Sequence, residues 1–325
     1  MNILLISPKY FDYELKIKAE IEKEGNCVDW LDDRPKCGTI SKGLLRLFPS
    51  LMKHKTNKYF NKIVLKKIKN NNYDICIVIL GQSFSVNNCL EIKKHIKGRM
   101  ILYLRDSIKN FPNCLKISKC FDTVFSFDYD DCERYNFHFL PLFFSETINE
   151  KDAKKKPSIF ISFIGTIKKG KYEYLKPLLG QVKKYASENN LKIVFYMYLQ
   201  SKLVYIFYKV FYKEFRSSSI KEFEFKKLSY DKYIDICKNS NIILDVVMGQ
   251  QNGLTMRTFE AIGLNKKLIT TNKNIDKYEF YNKDYILIYD RQVLDFNDKF
   301  FMNTPVYYNN KNKYTLSNWV KTILD

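Results

Sequence analysis

The stretch Gly253-Leu-Thr-Met-Arg-Thr-Phe-Glu260-Ala-Ile-Gly263-Leu-Asn-Lys-Lys-Leu-Ile-Thr-Thr271 decides how this chain is read. A glycine turn leads into a short helix, Gly263 closes the helix, and an apolar run follows as a strand. Thr255, Arg257, Thr258 and Glu260 crowd the first turns of that helix. A helix N-terminus presents unsatisfied N–H groups and a partial positive charge, which together favour an anion. Arg257 adds a fork that matches two phosphate oxygens. Glu260, one turn on, is placed to accept hydroxyl hydrogen bonds from a ribose. The block predicts a site for a nucleoside diphosphate, with Gly253, Leu254 and Met256 shaping the turn. Its bland counterpart is an ordinary capped helix.

Working outward, apolar strands alternate with amphipathic helices on both sides of residue 150. Strands are expected at Asn2–Ile6, Cys27–Trp30, Asp74–Leu80, Met100–Leu104, Asp122–Phe127 and His138–Leu142. A second series is expected at Ser158–Ile164, Lys192–Tyr198, Asn241–Val247, Lys267–Thr270 and Tyr285–Tyr289. This alternation predicts an α/β protein with two tandem Rossmann-like domains built on parallel sheets. The expected divisions are residues 1–145, a polar linker at 146–157, a second domain at 158–312 and a terminal helix at 313–325. Such sheets bind ligands beyond the carboxyl ends of their strands. The second domain's first such loop contains Gly165, Thr166 and Lys168. Gly165 lets backbone approach a ligand, and Thr166 with Lys168 or Lys169 can meet phosphate oxygens.

Composition narrows the class further. The chain has 325 residues and 46% hydrophobic content, enough for two ordinary cores. No apolar run approaches the roughly 20 residues needed to cross a bilayer. The opening Met-Asn-Ile-Leu-Leu-Ile-Ser-Pro reads as a first strand, with no basic region before it. Eight scattered cysteines without a Cys-x-x-Cys pair predict free thiols in a reducing cytoplasm. Histidines at 54, 95 and 138 have no metal-ligand spacing. Asp128-Tyr-Asp130 matches a metal-binding pattern, but its place at a strand-to-helix junction predicts a capping role. No metal and no cofactor are expected.

The net charge of +20 is unevenly spread: Arg34 to Tyr73 contains eleven basic residues and no acid. That run predicts an anionic partner, such as a membrane surface or a lipid diphosphate. Only eight arginines occur in the chain, and base readout leans on bidentate arginine, so nucleic acid is not the expected partner. Residues 202–216 form a second candidate surface. Projected at roughly 100° per residue, Leu203, Ile206, Phe207, Val210 and Phe211 form one arc and Lys202, Lys209, Lys213 and Arg216 another. The preferred reading packs the apolar arc into the core, and the second reading lays it on a membrane interface.

The tandem domains, the Phe163-Ile-Gly-Thr turn, and the block Leu-Thr-Met-Arg-Thr-Phe-Glu-Ala followed by Lys-Lys-Leu-Ile-Thr-Thr resemble the GT-B glycosyltransferases. The closer resemblance is to bacterial group 1-type enzymes of surface-polysaccharide and lipopolysaccharide assembly, capsule included. That resemblance implies sheets facing a central cleft and a nucleotide-sugar donor, UDP-linked, in the second domain. It implies an acceptor in the first domain, either lipid-linked or an oligosaccharide. It assigns the diphosphate to Arg257 and the helix N-terminus, and the ribose to Glu260. Many retaining relatives carry a further glutamate seven residues later, where this chain has Lys267, so the stereochemical course is left open. In the first domain Asp106 is the expected catalytic base, although an Asp before Ser107 also suits a turn cap. Ser7, Arg34 and Arg105 line the expected acceptor side. The expected enzyme is cytoplasmic and peripheral at the inner face of the membrane. A nucleotide-sugar epimerase of the same fold and a non-catalytic nucleic-acid-binding protein are the alternatives.

Overall fold

The computed structural model describes residues 1–10, 12–35, 49–145, 157–247, 252–302 and 304–325. The linker expected at 146–157 therefore lies almost wholly outside the described residues, as do residues 36–48 of the basic Arg34–Tyr73 run. The chain forms two units: Met1–Leu142 with Leu316–Asp325, and Phe143–Thr315.

In the first unit, six parallel strands run β1 (Asn2–Ile6), β2 (Cys27–Leu31), β3 (Ile75–Ile79), β4 (Met100–Leu104), β5 (Thr123–Ser126) and β6 (His138–Phe139). Their order in the sheet is β2-β1-β3-β4-β5-β6. The sequences Ile-Cys-Ile-Val-Ile of β3 and Met-Ile-Leu-Tyr-Leu of β4 are buried at every position. Continuous apolar strands are what a parallel sheet covered on both faces requires. Helices α1 (Tyr13–Lys23), α2 (Pro49–Tyr59), α3 (Leu65–Lys69), α4 (Val86–Lys93), α5 (Asn113–Ser118) and α6 (Tyr129–Tyr135) connect the strands. A π-helical turn, Phe60–Val64, joins α2 to α3 and buries Phe60 and Val64. Helix α5, short and flanked by loops, has too little periodicity to be seen in the sequence.

The second unit repeats the plan with β7 (Ile159–Thr166), β8 (Ile193–Tyr198), β9 (Ser240–Asp245), β10 (Lys267–Thr270) and β11 (Ile286–Ile288). The order is β11-β10-β9-β7-β8, and all pairs are parallel. Helices α7 (Lys171–Glu188), α8 (Lys202–Phe211), α9 (Tyr230–Lys238) and α10 (Met256–Gly263) belong to it. The chain leaves β7 towards β8 on one side and then returns to place β9 on the other. The gap between β7 and β9 is thus the topological switch point, where open α/β sheets bind ligands.

Two expectations differ from the structure. The terminal helix, expected as a segment of its own at 313–325, is α11 (Leu316–Leu324) and belongs to the first unit. Trp319, 2% exposed, meets Tyr103 of β4 edge-to-face at 4.8 Å. The other correction concerns α8, whose apolar arc faces solvent: Leu203 is 77% and Phe211 64% exposed. Its tyrosines do the packing instead, with Tyr205 buried and Tyr208 and Tyr212 against the core. Tyrosine suits that boundary because the ring buries while the hydroxyl finds a partner, here the Ser218 carbonyl at 2.9 Å for Tyr205.

Candidate functional site

At the β7–β9 switch point the structure brings together the two loops singled out in the sequence. Thr255 is the N-cap of α10, its hydroxyl accepting from the Thr258 amide at 3.4 Å. The residue that organises the site is Asp245, the last residue of β9, fully buried. Its Oδ2 accepts from the hydroxyls of Thr255 at 2.6 Å and Thr258 at 2.8 Å, and its Oδ1 from Arg257 Nη1 at 2.8 Å. Arg257 Nη2 also donates to the carbonyl of Ile164, at the end of β7. Burial opposes the arginine's charge, but the Asp245 carboxylate outweighs it and the pKa is raised. Arg257 therefore spans β9 and β7 as a fixed positive charge, with two donors already engaged. Asp245 was missed in the sequence because a lone aspartate ending an apolar strand reads as a turn residue.

Gly165 lies directly against this network. A Cβ there would sit 3.0 Å from Phe163 Cζ, 3.3 Å from Arg257 Nη2 and 3.5 Å from Lys171 Nζ. The glycine leaves that space open. Lys171, the first residue of α7, is a further cation here that carries no signature in the sequence. Its Nζ lies over the Phe163 ring at 5.5 Å and has no ion pair among the described residues. Burial, reinforced by the Arg257 and Lys168 charges, brings its pKa down to about 7 despite the opposing pull of Asp245. The loop reaches α7 through Gly170, whose φ of 78° favours glycine and whose amide donates to Glu214 Oε1 at 3.2 Å. Thr166, paired with Tyr198 of β8, and Lys168, whose carbonyl accepts from the Lys171 amide at 3.2 Å, frame the loop.

Other predicted donor-side residues take structural partners. Gly253 and Leu254 are buried, and Asn272 Nδ2 donates to the Gly253 carbonyl at 3.2 Å. Met256 begins α10 and is partly exposed. Glu260 is 2% exposed and accepts from the Tyr233 hydroxyl, so part of its capacity is met inside the protein. Lys267, at the position of the absent glutamate, is a core position of β10. Its Nζ donates to the carbonyls of Phe300 and Met302, each at 2.6 Å.

In the first unit the residues expected to face the acceptor are distributed over three strand ends. The Ser7 hydroxyl accepts from Trp30 Nε1 at 3.0 Å and is buried. Arg34 donates to the Lys9 carbonyl at 3.2 Å and lies 3.5 Å from both Asp32 and Asp33. The Arg105 guanidinium stacks over Tyr10 at 4.5 Å. Asp106 Oδ1 accepts from the Ser107 amide at 3.0 Å and Asn110 Nδ2 at 2.8 Å, the geometry of a turn cap. Asp33, beside Arg34, is fully buried with neither carboxylate oxygen hydrogen-bonded among the described residues. Burial is the main cause that raises its pKa to about 7, against the pull of Arg34 and Arg105. Asp128 caps α6, accepting from the Asp130 amide at 3.2 Å. A cavity of about 480 Å³ lined by Asn2, Cys27, Asp29 and Tyr73 opens at the opposite, amino ends of the strands.

No protein-family profile matches the chain, and no curated protein matches it. Solved structures do. An α-glucosyltransferase in complex with UDP and a 13-mer DNA superposes with a TM-score of 0.60 at 14% identity, covering 90% of this chain and 87% of that one. The UDP-GlcNAc 2-epimerase from Methanocaldococcus jannaschii gives 0.57 at 10% identity, covering 100% and 98%. The same archaeal enzyme in complex with UDP-GlcNAc and UDP gives 0.52 at 11% identity, covering 100% and 93%. At these identities the likeness is one of fold. Two Rossmann-like units with parallel sheets of six and five strands give this chain the GT-B fold.

Proposed function

We propose that the protein is a glycosyltransferase that moves a sugar from a UDP-linked donor to a lipid-linked or surface glycan acceptor. The observation that carries this reading is the β7–β9 switch point, where Lys171 and Arg257 flank Gly165 beside the N-terminus of α10. Two cations meet one carboxylate there, and an incoming diphosphate would complete the balance. Neighbours of the same fold that hold UDP support the choice of nucleotide. Glu260 and Tyr233, hydrogen-bonded to each other, are the proposed ribose contact.

Transfer breaks the bond between the anomeric carbon and the diphosphate, whose leaving oxygens gain negative charge. Fixed positive groups stabilise that charge without reorganising. Lys171, Arg257 and the α10 amides are assigned this role. The acceptor hydroxyl forms the new bond and loses its proton to a base; Asp106 is the proposed base, with Ser7, Arg34 and Arg105 assigned to the acceptor. The proposed setting is the cytoplasmic face of an anionic membrane. Among the described residues no helix is long and apolar enough to cross a membrane.

The test supplies a panel of UDP-sugars with and without a lipid-linked acceptor fraction. UDP release that depends on acceptor is the expected result. Isomerisation of the donor sugar without acceptor would instead identify an epimerase and overturn the transferase reading.

A further inference from the structure

Helix α8 presents five apolar side chains to solvent. Leu203 is 77% exposed, Ile206 54%, Phe207 49%, Val210 59% and Phe211 64%. Phe207 and Phe211 stack on each other at 4.6 Å, so the outer face is a joined aromatic and aliphatic ridge. Apolar surface concentrated on one helix is a mark of a contact site. The polar groups around it are almost all cationic and exposed: Lys202, Lys209, Lys213, Arg216 and Lys221. Lys209 also donates to the Ser218 carbonyl at 3.0 Å, holding its ammonium beside the helix. The acids of this segment, Glu214 and Glu222, are held in hydrogen bonds to neighbouring residues of the unit. Glu214 accepts from the Gly170 amide, and Glu222 accepts from the Tyr172 hydroxyl at 2.7 Å and the Ser219 amide at 2.6 Å. The outward face is thus apolar at its centre and positive at its rim.

We propose that α8 seats the second unit on an anionic phospholipid surface. Its apolar ridge enters the headgroup–acyl boundary, and the flanking lysines and arginine pair with lipid phosphates. The cationic rim argues for lipid over a second copy of this chain, because two such faces brought together would repel. The seat is joined to the candidate donor loop: Glu214 holds Gly170, and Lys169 lies over the Tyr212 ring at 5.0 Å. Docking α8 therefore brings the Gly165–Gly170 loop to the bilayer surface, where a lipid-borne acceptor would be presented. The docking itself does not depend on the sugar chemistry proposed above.

The experiment is flotation of the full chain with mixed phosphatidylglycerol–phosphatidylcholine vesicles, which contain no glycan, against phosphatidylcholine alone. The wild-type chain should float with the anionic vesicles, and added salt should release it. Leu203→Glu with Phe211→Glu should lower the vesicle-bound fraction at least tenfold, with the thermal melt and UDP binding unchanged. Equal flotation of the double variant and wild type would overturn the proposal. So would failure of the wild type to float, or sedimentation as a dimer that the double variant dissociates. UDP binding, read separately on the same samples, tells failure of the donor site apart from failure of the membrane seat.

Discussion

Arg257 donates to Asp245 across 2.8 Å at the end of β9, and the same carboxylate takes the hydroxyls of Thr255 and Thr258. One aspartate thereby fixes the start of α10 and the only charged side chain bridging it to β7 through Ile164 among the described residues. Asp245→Asn keeps the shape but removes the charge facing a buried guanidinium. Breaking a buried pair from one side costs about 3–5 kcal/mol. Urea unfolding of the variant should show a loss of about 3 kcal/mol, and UDP binding should weaken with it. An unchanged midpoint and slope would show that the network contributes nothing.

Lys171 should govern the pH dependence of nucleotide binding. Its folded pKa lies near 7 and its unfolded value near 10.5. Between those values the unfolded chain holds the extra proton, so this group makes stability rise with pH; below about 7 both states are charged and the penalty is complete. Diphosphate binding runs the other way, since it needs the ammonium. UDP affinity should fall as pH rises above 7, by about tenfold over the next pH units. Lys171→Met should weaken UDP at pH 7 by about tenfold and flatten that slope. Titration calorimetry between pH 6 and pH 9 reads both effects; a variant with wild-type affinity and slope would remove Lys171 from the site.

Asp33 predicts a second, opposite signature. Its folded pKa is near 7 against 3.8 unfolded, so the folded state binds the extra proton between these values. Stability from this group is complete below about pH 4 and is lost as pH rises through 7. Asp33→Asn, which needs no charge in its closed setting, should raise stability at pH 8 by on the order of 2 kcal/mol. Melting curves of the two proteins should converge towards pH 4. Parallel curves at every pH would mean that Asp33 is not the titrating group.

Much of the fold was legible because its strands are continuous apolar runs cut by polar turns. All eleven observed strands fall on predicted ones to within a few residues. The donor block was legible too, as a glycine turn with a hydroxyl cap. What failed to show were the tertiary partners. Asp245 and Lys171 carry no local signature, and their roles arise only when β9 lies beside β7. Both faces of α8 are legible in its spacing, but not which of them the core would claim. Tyr205 takes the inner side, where its hydroxyl donates to the Ser218 carbonyl.

The return of the last ten residues to the first unit has a consequence for how that unit is closed. Arg99 donates to the terminal Asp325 carbonyl at 3.1 Å, and Trp319 closes over Tyr103. The partners of Tyr103 in β4 and of Arg99 just before it both lie more than two hundred residues later in the chain. The second unit is a continuous segment, whereas the packing of the first needs residues that follow that segment in the chain. The unit that comes first in the chain is thereby the one whose packing draws on residues from beyond the other unit.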